Sequence, residues 1–110
     1  MKLIYIIVSS EDDDRVMEQL NKNGFSGTKM ATTGSFLRSG NTTLLVGTEA
    51  EKVDKVIEIV KQECGPRQRI TANTPPTVGA MNNGYVAYPV MVDVGGATIF
   101  VMDVEKYVKI

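Results

Sequence analysis

Histidine is absent from the 110 residues. That removes the one side chain whose unperturbed pKa lies near neutrality, and with it the Ser-His, Cys-His and His-metal arrangements on which many enzymes rely. A single cysteine, Cys64, can form neither an internal disulfide nor, by itself, a metal site, so a reducing compartment is expected. Nor is there a charge excess: 12 Lys plus Arg meet 13 Asp plus Glu, a net charge of -1. No broad electrostatic footprint for a nucleic-acid polymer or an anionic membrane follows, and any anionic ligand must be captured locally. Aromatic residues are 6% of the chain, and no RRM motif accompanies them, which disfavours an RNA-binding module. The apolar start at residues 2–8 is too short for a signal peptide with its cleavage region, and acidic residues follow at once, so the expected localisation is cytoplasmic.

What is present suits one packed domain spanning residues 1–110. Hydrophobic residues make up 43% and charged residues 23%, ordinary for a globular chain. Residues 3–8 form a near-continuous apolar run, the pattern of a central strand covered on both faces. Ser10 can cap a helix whose first turn holds Glu11, Asp12, Asp13 and Asp14; Val16, Met17 and Leu20 then share a face and Gly24 ends it. The acidic cluster reads as a helix N-terminus in water rather than a metal site, and no metal is expected. Strands are predicted over 25–33 and 41–48. Thr48 and Glu51 have capping-box spacing ahead of a helix on which Val53, Val56, Ile57, Val60 and Cys64 recur at helical intervals, closing at Gly65-Pro66. Residues 66–84 hold three of the four prolines and read as a long functional loop. Strands over 86–94 and 97–104 flank Gly95-Gly96, a pair suited to a hairpin turn or bulge, and a mixed tail closes the chain. This order predicts an α+β, ferredoxin-like βαββαβ sandwich with an additional strand and long loop before the last strand, both helices on one sheet face. The other face then needs a cover, which oligomerisation or the long loop can supply.

The informative stretch for chemistry runs from Thr32 to Thr43. Gly34 and Gly40 open backbone conformations closed to other residues, and consecutive free N–H groups in such a turn can cradle phosphate oxygens. Phe36 and Leu37 are costly at a solvent-facing loop tip unless a base or a neighbouring subunit covers them. Asn41 and Thr28 carry donors and acceptors suited to an adenine edge. By spacing alone, a hairpin whose Phe-Leu pair packs inward accounts for the same residues, and the glycines match neither the P-loop nor the Rossmann fingerprint. Gly95-Gly96 reads as a second flexible turn. Arg67 and Arg69 are placed to meet phosphate or to be solvated, and Tyr85 and Tyr88 to stack on a base or pack in a hairpin.

The run from Thr28 to Thr43, together with Tyr88-Pro89-Val90 and the segment from Val94 to Val101, closely resembles the PII-like cyclic di-AMP receptor family over nearly the whole chain. The resemblance implies a cytoplasmic homotrimer of ferredoxin-like subunits that binds three cyclic di-AMP molecules in clefts between neighbours, performs no catalysis, needs no cofactor and signals to a downstream protein not readable here. It implies that Thr28 and Asn41 contact adenine, that Phe36 and Leu37 line the cleft, that the backbone at Ser35 and Phe36 holds phosphate, that Gly47 permits close approach, and that Gly95 and Gly96 lie near the cleft. Three features depart from the family pattern. Ser26 stands where well-known relatives carry arginine, a charge-assisted contact whose loss costs roughly 1.5–3 kcal/mol. Ser35 replaces a glycine, and residues 81–84 and 106–110 differ. The alternatives that remain are a PII-type sensor of ATP or another adenine nucleotide and, from a different class, a small acylphosphatase-type enzyme, for which an anion loop is present but no convincing activating partner.

Overall fold

The computed structural model describes residues 1–30, 40–73 and 88–110. Its elements are β1 (Lys2–Ser9), α1 (Asp13–Lys22), β2 (Gly27–Met30), β3 (Asn41–Thr48), a single 3-10 turn (Ala50–Lys52), α2 (Val53–Cys64), β4 (Arg67–Asn73), β5 (Tyr88–Val94) and β6 (Ala97–Asp103). Four strands form one antiparallel sheet in the order β2-β3-β1-β6. Each helix therefore crosses over an intervening strand, α1 carrying the chain from β1 to β2 and α2 from β3 to β6, as a ferredoxin-like fold requires.

Alternation along β1 sends Ile4, Ile6 and Val8 to the helix side, where they join Leu44 and Val46 of β3, Val16 and Leu20 of α1, and Val56, Ile59, Val60 and Cys64 of α2 in one buried core. Phe25, expected to start a strand, is instead buried in this core, and β2 begins two residues later. Leu3, Tyr5 and Ile7 point to the opposite face and are only half-buried. There Tyr5 lies between Leu45 and Phe100, and Leu3 lies between Gly47 and Met102. Phe100 is 53% exposed, so this apolar face is left partly open to water by the described residues.

Several local expectations change. Ser10 does not cap α1; its hydroxyl pairs with Thr42 at 2.9 Å and its amide donates to the Gly40 carbonyl at 2.7 Å, so the helix starts later, after Asp12. The stop at Gly24 holds: its φ of 85° lets the Phe25 amide reach back to the Leu20 carbonyl at 2.9 Å. The Thr48-Glu51 capping box does not form, because the 3-10 turn intervenes and no side chain caps α2. Ile59 is buried in the core, whereas Ile57 is only half-buried. Helix α2 does end before Gly65-Pro66, but Gly65 is extended (φ -56°, ψ 151°) rather than left-handed, the conformation a following proline imposes.

The largest correction is at 66–84. Its first part is a strand, β4, paired antiparallel with β5 from Arg67 opposite Val94 to Asn73 opposite Tyr88, in a separate two-stranded ribbon. Gly95-Gly96 is consequently no hairpin turn, since β5 and β6 belong to different sheets. It is the corner where the chain leaves the ribbon and enters the main sheet. Among the described residues no helix is long and apolar enough to cross a membrane.

Candidate functional site

The residues singled out from sequence fall into three groups. Ser35, Phe36 and Leu37 lie outside the described residues. Asn41, Gly95 and Gly96 come together at one end of the sheet, where they line a cavity of about 250 Å³ with Ile7, Val8, Ser9, Ala97 and Thr98. Thr28 and Gly47 come together at the other end, lining a cavity of about 340 Å³. Because Asn41 and Gly47 stand six residues apart on one strand, the two ends are separated by about 20 Å. One chain brings each pair together but does not bring the pairs to each other.

At the Asn41 end, the local sequence fixes the geometry closely. Gly40 takes φ 96° and delivers its carbonyl to Ser10, which sets Asn41 directly opposite Ser9 with its side chain exposed. Gly95 and Gly96, at φ 85° and 83°, turn the backbone in against the end of α2, and the Gly96 amide donates to the Cys64 carbonyl at 2.5 Å. Alanine does not fit at 95, where a Cβ would meet the Gly65 carbonyl at 2.7 Å. The glycine is therefore required by the corner itself, whatever binds beside it.

Electrostatics ties this end together. The acidic cluster is a solvated helix start only at Glu11 and Asp14, which are exposed: Asp12 is 1% exposed, and its Oδ1 accepts from Arg15 and, at 2.8 Å, from Arg67 of β4. Arg69 clasps Glu11 through both guanidinium nitrogens at 3.0 and 3.2 Å. Arg67 and Arg69 are thus staples that seat the ribbon on α1. Asp13 accepts from Thr42 Oγ1 at 2.9 Å and meets Lys29 Nζ at 3.3 Å. Burial pushes the Asp13 carboxyl upward, but the bonds from Thr42 and Lys29 together outweigh it and hold the group below the ordinary carboxylate range. Burial raises the Cys64 thiol, with the neighbouring Asp12 charge acting the same way, so this buried cysteine is held as the neutral thiol.

At the Thr28 end, strand pairing puts Thr28 opposite Leu45. The cavity walls are apolar at Met1, Leu3, Leu45, Val104 and the ring of Tyr107, with the hydroxyls of Ser26, Thr28 and Tyr107 as the side-chain polar groups. A mostly apolar hollow with a few polar groups is the usual form of a small-molecule site. Gly47 serves it by omission: a Cβ there would approach only Met1 Sδ, at 3.9 Å. Tyr107 was missed in the sequence because the tail carries no periodic signal. It is brought to the pocket by β6 and by the bond from the Val104 amide to the Met1 carbonyl at 3.2 Å.

The family model for the cyclic-di-AMP receptor matches residues 1–110, the whole length. The chain belongs to the cyclic-di-AMP receptor family. Among solved structures, this receptor chain is similar to a functionally unknown protein from Pediococcus pentosaceus, at 35% identity over 99% of this chain and 96% of that one, with a TM-score of 0.75. Membership in a receptor family accords with a site built of walls, amides and hydroxyls. The chain carries no histidine, so a cyclic-di-AMP receptor of this composition has no side chain of unperturbed pKa near neutrality for proton transfer.

Proposed function

We propose that this receptor binds cyclic di-AMP without transforming it, in clefts between the subunits of a homotrimer, and passes the signal to a protein partner in the cytoplasm through a change in the segments 34–40 and 66–84. The whole-length family match carries the ligand assignment. The intersubunit placement is supported by the split of the site: Asn41 with Gly95 and Gly96 at one end of the sheet, Thr28 with Gly47 at the other. Two chains packed side by side offer one end of each to a common cleft, which a single chain does not. The apolar face carrying Tyr5, Phe100 and Met102 favours such packing, because leaving it in water forgoes about 25 cal/mol for each Å² that could be covered.

In this reading Thr28 and Asn41 contact adenine edges, Phe36 and Leu37 cover a base, and the backbone at Ser35 and Phe36 holds phosphate. Signalling needs differential affinity: a tenfold preference for one conformation supplies only about 1.4 kcal/mol, so the ligand-free state must lie near balance or the preference must be larger. The test is a calorimetric titration with cyclic di-AMP, ATP and cyclic di-GMP, accompanied by sedimentation to count chains. The expected result is tight heat with cyclic di-AMP alone, one ligand per chain in a species of three chains, and weakened binding in Asn41→Ala. Heat with ATP only would turn the assignment to an adenine-nucleotide sensor, and undiminished affinity in Asn41→Ala would misplace the adenine contact.

A further inference from the structure

Beside the apolar pocket at the Thr28 end lies a second cavity, also about 340 Å³, between the α1–β2 turn and the β3–α2 corner. The two share Ser26 and Gly47 in their walls. They differ in chemistry. The second is lined by Asn23, Gly24, Phe25 and Thr48 and by two lysines, Lys52 and Lys55, with no carboxylate in its lining. Lys52 ends the 3-10 turn and Lys55 stands three residues on in the first turn of α2, so both amines issue from one side of that corner. Glu49, Glu51 and Asp54 are close in sequence, yet among the described residues neither lysine forms a salt bridge, whereas Lys2, Lys22 and Lys29 each do. Two unneutralised ammonium groups on one cavity of a chain with net charge -1 form a local positive field.

We infer that Lys52 and Lys55 are phosphate-binding residues of this receptor, meeting the anionic backbone of a nucleotide whose base occupies the adjoining apolar pocket. The inference rests on the receptor reading above and adds to it a cationic half-site. It fits an amphipathic ligand, with an aromatic base for the walls at Leu45 and Tyr107 and a negative phosphodiester for the lysines, joined across Gly47, where no side chain intervenes. It also supplies an answer to Ser26. A serine at that position brings no charge, and the lysines place cations on the same cavity wall from a different element. Ammonium groups are compact, hydrated point charges, so the contact is screened by salt more strongly than a buried forked guanidinium pair.

The test is a titration of the full-length protein with cyclic di-AMP at about 50 mM and about 300 mM salt, conditions that bracket the range over which exposed charges become screened. Wild type is compared with Lys52→Gln, Lys55→Gln, the double variant, and Lys61→Gln, which lies on the far end of α2 and lines a different hollow. All three lysines are exposed, so unchanged melting temperatures check the fold. Affinity in the double variant is expected to fall by roughly tenfold at the lower salt, with a flatter salt dependence, while Lys61→Gln follows wild type. Equal affinity and equal salt dependence in wild type and double variant would overturn the lysine assignment and leave the receptor reading standing. Absence of binding in wild type at both salts would overturn the receptor reading itself.

Discussion

Replacing Gly95 by alanine tests whether the corner between β5 and β6 is a structural demand. Two adjacent glycines provide an internal control, because both have positive φ (85° and 83°) but only one is crowded. An L-residue in the left-handed region costs about 1–2 kcal/mol. For Gly96→Ala that is the whole expected loss, since its Cβ would meet nothing within 4 Å. For Gly95→Ala the new methyl lies 2.6 Å from Arg67 Nη1, 2.7 Å from the Gly65 carbonyl and 3.2 Å from the Cys64 carbonyl. The guanidinium is the far end of a flexible chain and can swing aside, at the expense of its bond to the buried Asp12. The two carbonyls are backbone, and one of them already accepts from Gly96. Overpacking of this kind adds about 1–3 kcal/mol, so Gly95→Ala is expected to lose about 2–5 kcal/mol. At roughly 4 °C per kcal/mol for a chain of this size, the melting midpoint falls by about 8–20 °C, against about 4–8 °C for Gly96→Ala. Thermal unfolding followed by far-ultraviolet circular dichroism reads both. Equal shifts in the two variants, or a Gly95→Ala protein that melts with wild type, would refute the crowded-corner account. A weakened ligand affinity in Gly95→Ala would for the same reason not identify a ligand contact.

Gly47 should behave in the opposite way. Its φ is not positive and the space around it is open, so Gly47→Ala is expected to melt within about 2 °C of wild type while cyclic di-AMP affinity falls, because the methyl projects where two cavities meet. A wild-type affinity measured by calorimetry would remove Gly47 from the site. Acid stability follows Asp13. Its folded carboxyl is held below its unfolded value of 3.8, so its contribution is present above that value and is lost as pH falls through the folded pKa. Urea midpoints taken between about pH 5 and about pH 2 should fall more steeply in wild type than in Thr42→Val, which lacks the hydroxyl that donates to Asp13; parallel curves would show that this hydrogen bond does not carry the shift.

Much of the main sheet is written locally. The apolar run of β1, the Leu44-Leu45-Val46 segment of β3 and the helical spacing of α2 are each local signals, and their order constrains the crossovers. What failed to show was structure whose stabilising partner is remote. Strand β4 reads Arg-Gln-Arg-Ile-Thr-Ala-Asn, a mostly polar stretch following Gly65-Pro66 whose short alternation from Arg69 to Asn73 is a weak signal, and it is a strand because β5 lies beside it and Arg67 and Arg69 find Asp12 and Glu11. The acidic run reads as a solvated helix end for the same reason: nothing near it in sequence reveals that Arg67 and Arg69 of β4 reach Asp12 and Glu11, or that Lys29 of β2 reaches Asp13 and Asp14. Residue types suited to an adenine edge pointed to Thr28 and Asn41, but composition carries no information on how far apart they lie.

The amino-acid sequence by itself determined the apolar run of the central strand, the absence of histidine, and the helical spacing that buries one face of α2 and ends at Gly65-Pro66, because these are properties of single residues and their near neighbours. Only the tertiary structure decided that Asn41 and Thr28 line separate cavities toward opposite ends of the sheet, that Gly95-Gly96 is a corner between two sheets, and that Tyr107 and the pair Lys52 and Lys55 border the two cavities that meet at Gly47. Those facts depend on which strand edges and charges meet across long stretches of chain, and that pairing is set by the packing of the whole rather than by any local preference.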